Sequence, residues 1–279
     1  MSKIKLKTVG IVGVGFMGGS LALAVKDAFP SVRLWGYARS RKSFNKIKRL
    51  SLVDVVTMNL EELARESDLI ILATPVSTII DYFKKLSPYL KKGSFVIDLG
   101  STKKIIDKMA KIYIPPYVSF VGCHPLCGSH KSGPAVADKD LYKGSLCIIT
   151  SRSKAAKFIR EFWQGLGCSV FYVNSSLHDK MLSYISHIPH IISFSFAYFV
   201  PDKYGKFASR SFRDLTRIAS SPADVWADIL LSNRRNIIKG IRGYSKILRS
   251  FETVIKNQDR DKLLRIIKTI NLKRARIGQ

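Results

Sequence analysis

Short apolar runs alternate with amphipathic segments over the first 173 residues of the chain. The runs are continuously apolar, which is typical of strands buried on both faces of a parallel sheet. The segments between them carry apolar residues at helical spacing, beginning with 16–29 and a basic segment from Arg41. This order predicts a parallel, doubly wound α/β sheet. The predicted strands are 8–15, 32–38, 68–75, 94–100, 117–125, 145–150 and 168–173.

From residue 174 onward the strand pattern stops and the apolar spacing is helical. One long apolar helix is predicted over 178–200, with a kink at Pro189. A second long helix is predicted after Pro222, which would stand in its first turn behind serine caps. These helices carry more apolar residues than a small domain needs to cover itself. We therefore expect an α/β domain over 1–173 and an all-α domain over 174–279 that packs against a second copy as a homodimer.

The composition is that of an ordinary globular protein, 46% hydrophobic over 279 residues. No apolar run approaches the roughly 20 residues of a membrane span, so we expect no membrane association. The N-terminal stretch leads directly into a strand and lacks the pattern of a signal peptide. The four cysteines show no C-x-x-C pair. These features favour a cytoplasmic location.

The formal net charge of +27 raises nucleic acid as a partner. The basic residues are dispersed, however, and no nucleic-acid-binding motif accompanies them. We therefore expect no nucleic-acid partner, and interpret the charge as a solvated surface that also attracts anionic metabolites.

Gly13, Gly15 and Gly18 form a G-x-G-x-x-G motif between the first predicted strand and the first helix. Gly13 permits a tight turn, Gly15 lets the backbone approach a pyrophosphate, and Gly18 lets helix and strand pack closely. The N-terminus of the helix adds unpaired N–H groups. The motif in this position predicts a Rossmann-type dinucleotide-binding domain. We expect Phe16 and Met17 in the loop, and Thr74 and Pro75 after the third strand, to line the cofactor site.

The stretch HPLCGSHKSG, residues 124–133, concentrates reactive side chains at the end of a strand. A zinc site of Cys123, His124, Cys127 and His130 is disfavoured because the proline and glycines already account for the loop. A nucleophilic Cys127 would need a base–orienter pair that nothing here requires. His124, placed where ligands bind in such sheets, is a candidate general base, against the alternative of a histidine that only terminates a strand.

Several stretches together resemble prephenate dehydrogenases and their arogenate-using relatives. They are GIVGVGFMGGSLALA (10–24), DLIILATPV (68–76), DLGSTK (98–103), GCHPLCGSHKSG (122–133), SHIPH (186–190) and SFRDLTRIASSPADVW (211–226). The resemblance runs to about residue 235 and implies a monofunctional enzyme. It implies oxidative decarboxylation of prephenate to 4-hydroxyphenylpyruvate in tyrosine biosynthesis, with hydride transfer to NAD or NADP.

The resemblance also implies roles for individual residues. His124 would take the substrate hydroxyl proton, and Ser101 would contact both that hydroxyl and His124, unless Ser101 only caps a helix. Arg217 would bind the pyruvyl-side carboxylate, with a surface salt bridge as the alternative. His190 is favoured over His187 for substrate contact, against a core role for both. Ser129 and His130 would lie in a loop over the substrate; Lys103 is expected to be a first-turn residue and His178 a helix cap.

His130 bears on the substrate, because some relatives carry an acidic residue there. A histidine disfavours the ammonium group of arogenate, so prephenate is preferred and arogenate is the alternative. A β-hydroxyacid-type dehydrogenase is a weaker enzyme alternative, since those use a lysine of the second domain. A protein that merely senses NAD(P) is the non-enzyme alternative.

The residues at the end of the second predicted strand indicate whether NAD or NADP is preferred. NAD-preferring sites place an acidic residue there to hold the ribose hydroxyls. Here Ala38 stands at that position, followed by Arg39 and Ser40. The absent carboxylate removes a repulsion, and Arg39 and Ser40 offer donors to a 2′-phosphate. NADP is therefore favoured over NAD, against the alternative of a basic helix start that tolerates both.

Overall fold

The computed structural model describes residues 6–128 and 133–277. The chain divides into two compact units, one ending at Asn233 and the other beginning at Arg234. The boundary predicted at 173/174 falls inside the first unit, between the last strand and the first helix of its helical part. Within the described residues no helix is long and apolar enough to cross a membrane.

An eight-stranded sheet organises the first unit, in the order β3-β2-β1-β4-β5-β6-β7-β8. Its first six strands are parallel and follow the order of doubly wound dinucleotide-binding sheets, which confirms the predicted Rossmann-type domain. The strands are β1 Thr8–Val12, β2 Arg33–Tyr37, β3 Val55–Thr57, β4 Leu69–Leu72, β5 Phe95–Asp98, β6 Ser119–Pro125, β7 Leu146–Ile149 and β8 Ser169–Tyr172.

The prediction of a wholly parallel sheet is wrong at one edge. Strand β7 is antiparallel to β6, and β8 is parallel to β7. A parallel neighbour needs a crossover connection, usually a helix. The described part of the β6–β7 connection holds only a short 3-10 turn, Pro134–Val136, so the chain re-enters the sheet in the opposite direction.

Apolar cores lie on the two faces of this sheet. One contains Leu21, Trp163 and Ile159 from helices on that face, and the other contains Phe83 and Ile106 from the opposite face. The helices of the α/β part are α1 Phe16–Ala28, α2 Arg41–Arg49, α3 Leu60–Glu66, α4 Val76–Leu86, α5 Lys104–Tyr113 and α6 Lys154–Gly165.

The predicted long apolar helix is one helical run of changing pitch. It consists of α7 Ser175–Leu182, a π-helical segment Ser183–His187, and α8 Ile188–Phe199. The N–H of Ile188 bonds the carbonyl of Ser183, five residues back. Pro189 follows directly and has no N–H to donate, so the widened turn comes where the ordinary ladder would lose a bond.

The helices after residue 200 are shorter than the sequence pattern suggests. Helix α9 spans Arg210–Thr216, followed by a 3-10 turn Arg217–Ser220, and α10 spans Ala223–Ser232. The predicted serine cap of α10 is wrong: Pro222 is its N-cap residue, and no side chain caps it.

The second unit is a helical hairpin. Helix α11 spans Arg234–Lys256 and α12 spans Arg260–Arg276, with the Asp259 carboxylate capping α12. Ile237 and Val254 of α11 are buried. Both helices nevertheless expose large apolar side chains, among them Ile241, Ile247, Leu248, Ile255, Leu264, Ile267, Ile270 and Leu272.

Candidate active site

The glycine loop is built as its motif requires. Gly13 has a positive φ of 100°, and α1 begins at Phe16. A Cβ on Gly18 would meet the carbonyl oxygen of Gly13 at 2.1 Å, so only glycine lets helix and strand approach this closely. A Cβ on Gly15 would meet nothing within 4 Å. The open space at Gly15 is where a pyrophosphate would approach the backbone.

A groove of about 640 Å³ runs along this loop. Thr74 and Pro75 line it, as predicted from the sequence. The hydroxyl of Thr74 is buried and has no hydrogen-bond partner among the described residues, so an acceptor in the groove would satisfy it. Phe16 and Met17 do not line the groove; the Met17 carbonyl accepts a hydrogen bond from Tyr142 at 2.8 Å. The loop, the helix terminus and the unpaired hydroxyl together fit a dinucleotide.

Cationic side chains line the groove beyond β2. Arg39 does so together with Lys42 and Lys46, and Ser43 adds a hydroxyl. Ser40 is the N-cap of α2, where its Oγ accepts the N–H of Ser43 at 3.3 Å. Arg39 was expected at this site from the sequence, whereas Lys42, Ser43 and Lys46 of α2, which line the same groove, were not.

The structure places His124 in a chain of buried polar groups. His124 lies at the end of β6 and is only 9% exposed. Its Nδ1 lies 2.8 Å from Nε2 of His178, whose Nδ1 lies 2.8 Å from Oδ1 of Asp179. Burial lowers the pKa of both histidines, that of His124 to well below the ordinary value. Both rings are therefore neutral near pH 7, which is the state a general base requires.

Asp179 also fixes the loop that carries Ser101. Its Oδ1 accepts the N–H of Lys103 at 2.7 Å and its Oδ2 accepts the N–H of Lys104 at 3.0 Å, which caps α5. Ser101 therefore does not cap this helix. Within the described residues its half-buried hydroxyl makes no hydrogen bond, which leaves it available to a ligand.

Lys103 is more than the first-turn residue expected from the sequence. Its side chain is fully buried, forms an ion pair with Asp98, and donates to the carbonyl of Cys123 at 2.6 Å. Asp98 in turn accepts the N–H groups of Gly100 and Cys123. The pair ties the end of β5 to β6, close along the chain to Ser101 and His124. Ser101 is three residues after Asp98, and His124 is two residues after Gly122, the residue paired with Asp98.

His178 is more than the helix cap that its position suggests. Asn174 caps α7 instead, its Oδ1 accepting the N–H of Leu177. Neither Asp179 nor Lys103 was identified as part of the site from the sequence. An acid inside an apolar helical pattern was the available signal for Asp179, and its partners lie 76 residues away along the chain.

His190 and His187 occupy different surroundings. The ring of His190 is half-buried and stacks on Trp226 with 3.5 Å between centroids. Its Nδ1 donates to the carbonyl of Ser186 at 2.9 Å, which leaves Nε2 for a ligand. His187 is buried, and its Nδ1 lies 3.1 Å from the amide nitrogen of Asn233. Burial lowers the pKa of His187 to about 4. Nε2 of His190 is therefore open to a ligand, whereas His187 lies in the core.

Arg217 begins the 3-10 turn that packs against α8, the helix of His190. It is exposed, and no ion pair holds its guanidinium within the described residues. The salt-bridge alternative therefore finds no partner there. Ser129 and His130, predicted to lie over the substrate, fall outside the described residues.

Cys123 and Cys127, at the reactive loop, are buried and half-buried respectively. Burial raises the pKa of Cys127 to about 12, so its thiol stays protonated at neutral pH. Cys123 is fully buried, and its Sγ contacts the carbonyl of Val121.

Two family models cover most of the chain. The nucleotide-binding domain of prephenate dehydrogenase matches residues 21–172, and the dimerization domain of the same family matches residues 174–269. A prephenate dehydrogenase of Lactococcus lactis is 33% identical over 91% of this chain and 73% of its own length. A cyclohexadienyl dehydrogenase of Zymomonas mobilis is 30% identical over 92% of both chains.

Solved structures agree with these matches. Prephenate dehydrogenase of A. aeolicus, in complex with hydroxyphenyl propionate and NAD+, is 31% identical with a TM-score of 0.90, covering 99% of this chain and all of that one. Arogenate dehydrogenase of Synechocystis is 25% identical with a TM-score of 0.81, covering 96% and 99%. With its dinucleotide loop, its buried histidine at the end of β6 and these relatives, the chain belongs to the prephenate dehydrogenase family.

Proposed function

We propose that the chain catalyses the oxidative decarboxylation of prephenate to 4-hydroxyphenylpyruvate, with hydride transfer to a nicotinamide dinucleotide. The observation that carries this proposal is the neutral, buried His124 at the same sheet edge as the dinucleotide loop. The carboxyl ends of β1, β4, β5 and β6 meet there and bring together Gly13, Thr74, Ser101 and His124.

The chain's own residues account for the handling of charge and protons. Arg217 binds a carboxylate through its planar fork, and the Ser101 hydroxyl hydrogen-bonds the substrate hydroxyl. His124 accepts the proton of that hydroxyl as the C–H hydride departs. The C–C bond to the ring carboxylate then breaks and carbon dioxide leaves. The bonding electron pair moves through the ring onto the former hydroxyl oxygen, which takes the proton back from His124 as the aromatic phenol forms. The nicotinamide, when bound, supplies the hydride acceptor.

The reaction is tested by incubating the protein with prephenate and either NAD or NADP while following the absorbance of the reduced nicotinamide. Product is identified as 4-hydroxyphenylpyruvate by chromatography. A parallel reaction with arogenate tests the alternative substrate, and turnover of arogenate alone would replace the proposed substrate. Folded protein that turns over neither substrate would contradict the proposal.

NADP is the cofactor that the groove favours. Arg39, Lys42 and Lys46 place three cations along it, and buried Ala38 stands where an NAD site carries its acid. A 2′-phosphate would meet these donors, and the segment 38–46 that carries them has no carboxylate to repel it. Asp224, the acidic residue lining the groove, belongs to α10, and the neighbouring Asp228 caps α4 by accepting the N–H of Ser77.

The ratio of catalytic efficiencies with NADP and NAD tests this preference. The wild type should favour NADP, and Arg39→Ala should lower the ratio by about tenfold or more, as expected for losing one charge-assisted hydrogen bond. Arg41→Ala is the matched control, since Arg41 lies over the ring of Phe44 and does not line this groove. A wild type that prefers NAD, as would suit the relative that binds NAD+, or equal ratios in both variants, would refute the assignment.

A homodimer and a cytoplasmic location complete the proposal. The matched dimerization model supports the first. Four free cysteines support the second.

A further inference from the structure

The directions of the hydrogen bonds that join His124, His178 and Asp179 can be derived from the acceptor oxygens of Asp179. Both oxygens of Asp179 already accept backbone N–H groups, from Lys103 and Lys104. The group that approaches Oδ1 from the other side, Nδ1 of His178, must therefore carry a proton. A neutral imidazole has one proton, so Nε2 of His178 is an acceptor. Nδ1 of His124, 2.8 Å away, must then be the donor.

This order leaves one nitrogen of His124 with a free lone pair. Within the described residues its Nε2 makes no hydrogen bond, and Nδ1 is engaged by His178. We propose that His178 and Asp179 are positioning residues, which hold His124 as the Nδ1–H tautomer and so present Nε2 as the proton acceptor. The kinetic part of this inference rests on the proposed function; the tautomer itself does not.

The charged groups around His124 and His178 keep the two rings in this neutral, hydrogen-bonded arrangement. The charged and titratable groups around the two rings are Asp179 on α7, Lys103 before α5, Asp98 on β5 and His187 in the π-helical segment. The Lys103 ammonium is paired with Asp98 and opposes a second positive charge nearby. The Asp179 carboxylate is the compensating charge once His124 has accepted a proton, because the imidazolium then donates through His178 toward it.

A purely structural alternative exists, because Asp179 also caps α5 and thereby joins α7 to the sheet. Under that alternative the tautomer of His124 would not depend on His178, and any substitution that fills the space would serve. A test must therefore determine which ring nitrogen of His124 carries the proton. It must also compare side chains of similar size that differ in hydrogen-bonding capacity.

Nitrogen NMR of protein isotopically labelled at its five histidines shows directly which ring nitrogens are protonated. Long-range ring correlations distinguish a protonated from an unprotonated nitrogen, and histidine substitutions assign the signals. We expect His124 and His178 both to be Nδ1–H tautomers near pH 7.5 in the wild type without substrate. A His124 ring protonated at Nε2 would overturn the proposal, whether or not the enzyme turns over prephenate.

His178→Gln and His178→Leu form the kinetic comparison. Glutamine can accept from His124 and donate to Asp179, as His178 does, whereas leucine of similar size can do neither. Turnover should fall by about 100-fold or more in His178→Leu, the scale of losing a general base, and recover by at least about tenfold in His178→Gln. The Michaelis constant of the dinucleotide should change little in both variants.

His187→Gln is the matched control. His187 is equally buried in the same helical run but bonds Asn233 instead of His124. Its substitution should leave turnover within about threefold of wild type, since it removes none of the hydrogen bonds that join His124, His178 and Asp179. Equal turnover in the glutamine and leucine variants of His178 would show that the position only fills space and would refute the positioning role.

Discussion

At the residue scale, the structure gives His124 the protonation state and surroundings of a base. Replacing it by asparagine keeps a polar side chain at the strand end but removes a group that can accept the proton. We expect turnover to fall by about 100-fold or more while the dissociation constant of the dinucleotide stays unchanged. Steady-state kinetics and a cofactor titration check both values. Near-wild-type turnover in His124→Asn would place the proton acceptor elsewhere.

Arg217 should act on binding rather than on the chemical step. Its guanidinium is exposed and unpaired within the described residues, and a carboxylate that it holds is present in both ground and transition states. Arg217→Ala should therefore raise the Michaelis constant for prephenate by about tenfold or more and change turnover much less. Arg213→Ala, one helical turn earlier and also exposed, is the control. A large fall in turnover with little change in the Michaelis constant would contradict the assignment of Arg217 to carboxylate binding.

The glycine loop allows two alanine substitutions with opposite consequences. Gly15→Ala adds a methyl group to open space, so the melting temperature should stay the same while cofactor affinity falls by about tenfold, through steric exclusion from the groove. Gly18→Ala would force its Cβ against the Gly13 carbonyl oxygen, so the fold itself should be destabilised. Thermal unfolding and cofactor titration of both variants separate the effects. Unchanged cofactor affinity in Gly15→Ala would show that the pyrophosphate does not bind next to residue 15.

The sequence could predict the residues whose role follows from a local motif, such as Gly13, Gly15, Gly18 and His124. It could not predict Asp179 or Lys103, because their contacts join segments that are distant along the chain. Lys103 in particular has the sequence position of a first-turn residue, and only the structure shows that its side chain is buried against Asp98.

At the element scale, continuous apolar runs predicted seven of the strands, and each predicted range was longer than the observed strand by a few residues. Strand β3 was missed because its three residues, Val55–Thr57, are too few to carry a periodic signal. The direction of β7 was missed because strand direction depends on the connection that precedes it. The π-helical segment before Pro189 likewise concerns backbone pairing that a pattern of apolar positions does not encode.

That segment carries a pH prediction through His187. Its pKa of about 4 in the folded state lies below the ordinary value near 6.5, so the unfolded chain binds an extra proton between these values. Stability is therefore lost as pH falls from 6.5 toward 4, by about 2 kcal/mol from this group between pH 6.5 and 5. Urea unfolding at both pH values should show a smaller loss in His187→Gln. Identical losses in the two proteins would contradict the pKa assignment.

At the scale of the whole molecule, the apolar surface of the helices is too large for a lone chain. Tyr198 and Phe199 at the end of α8 are 94% and 78% exposed, and Leu231 of α10 is 69% exposed. Light scattering should give a particle of about twice the 31.4 kDa chain mass. Phe199→Glu should weaken this association, whereas Tyr117→Glu on the α/β part should not. A monomeric wild type at micromolar concentration would refute the dimer.

The cap that Asp179 places on α5 has a consequence for the order in which activity appears during folding. Residues 54 to 76 positions apart must meet before the proton arrangement around His124 exists. These contacts need α7, which follows the last strand of the sheet along the chain. A nascent chain with a complete sheet could already bind a dinucleotide. It would become a competent catalyst only when α7 docks, so cofactor binding and turnover should appear at different times in a refolding experiment.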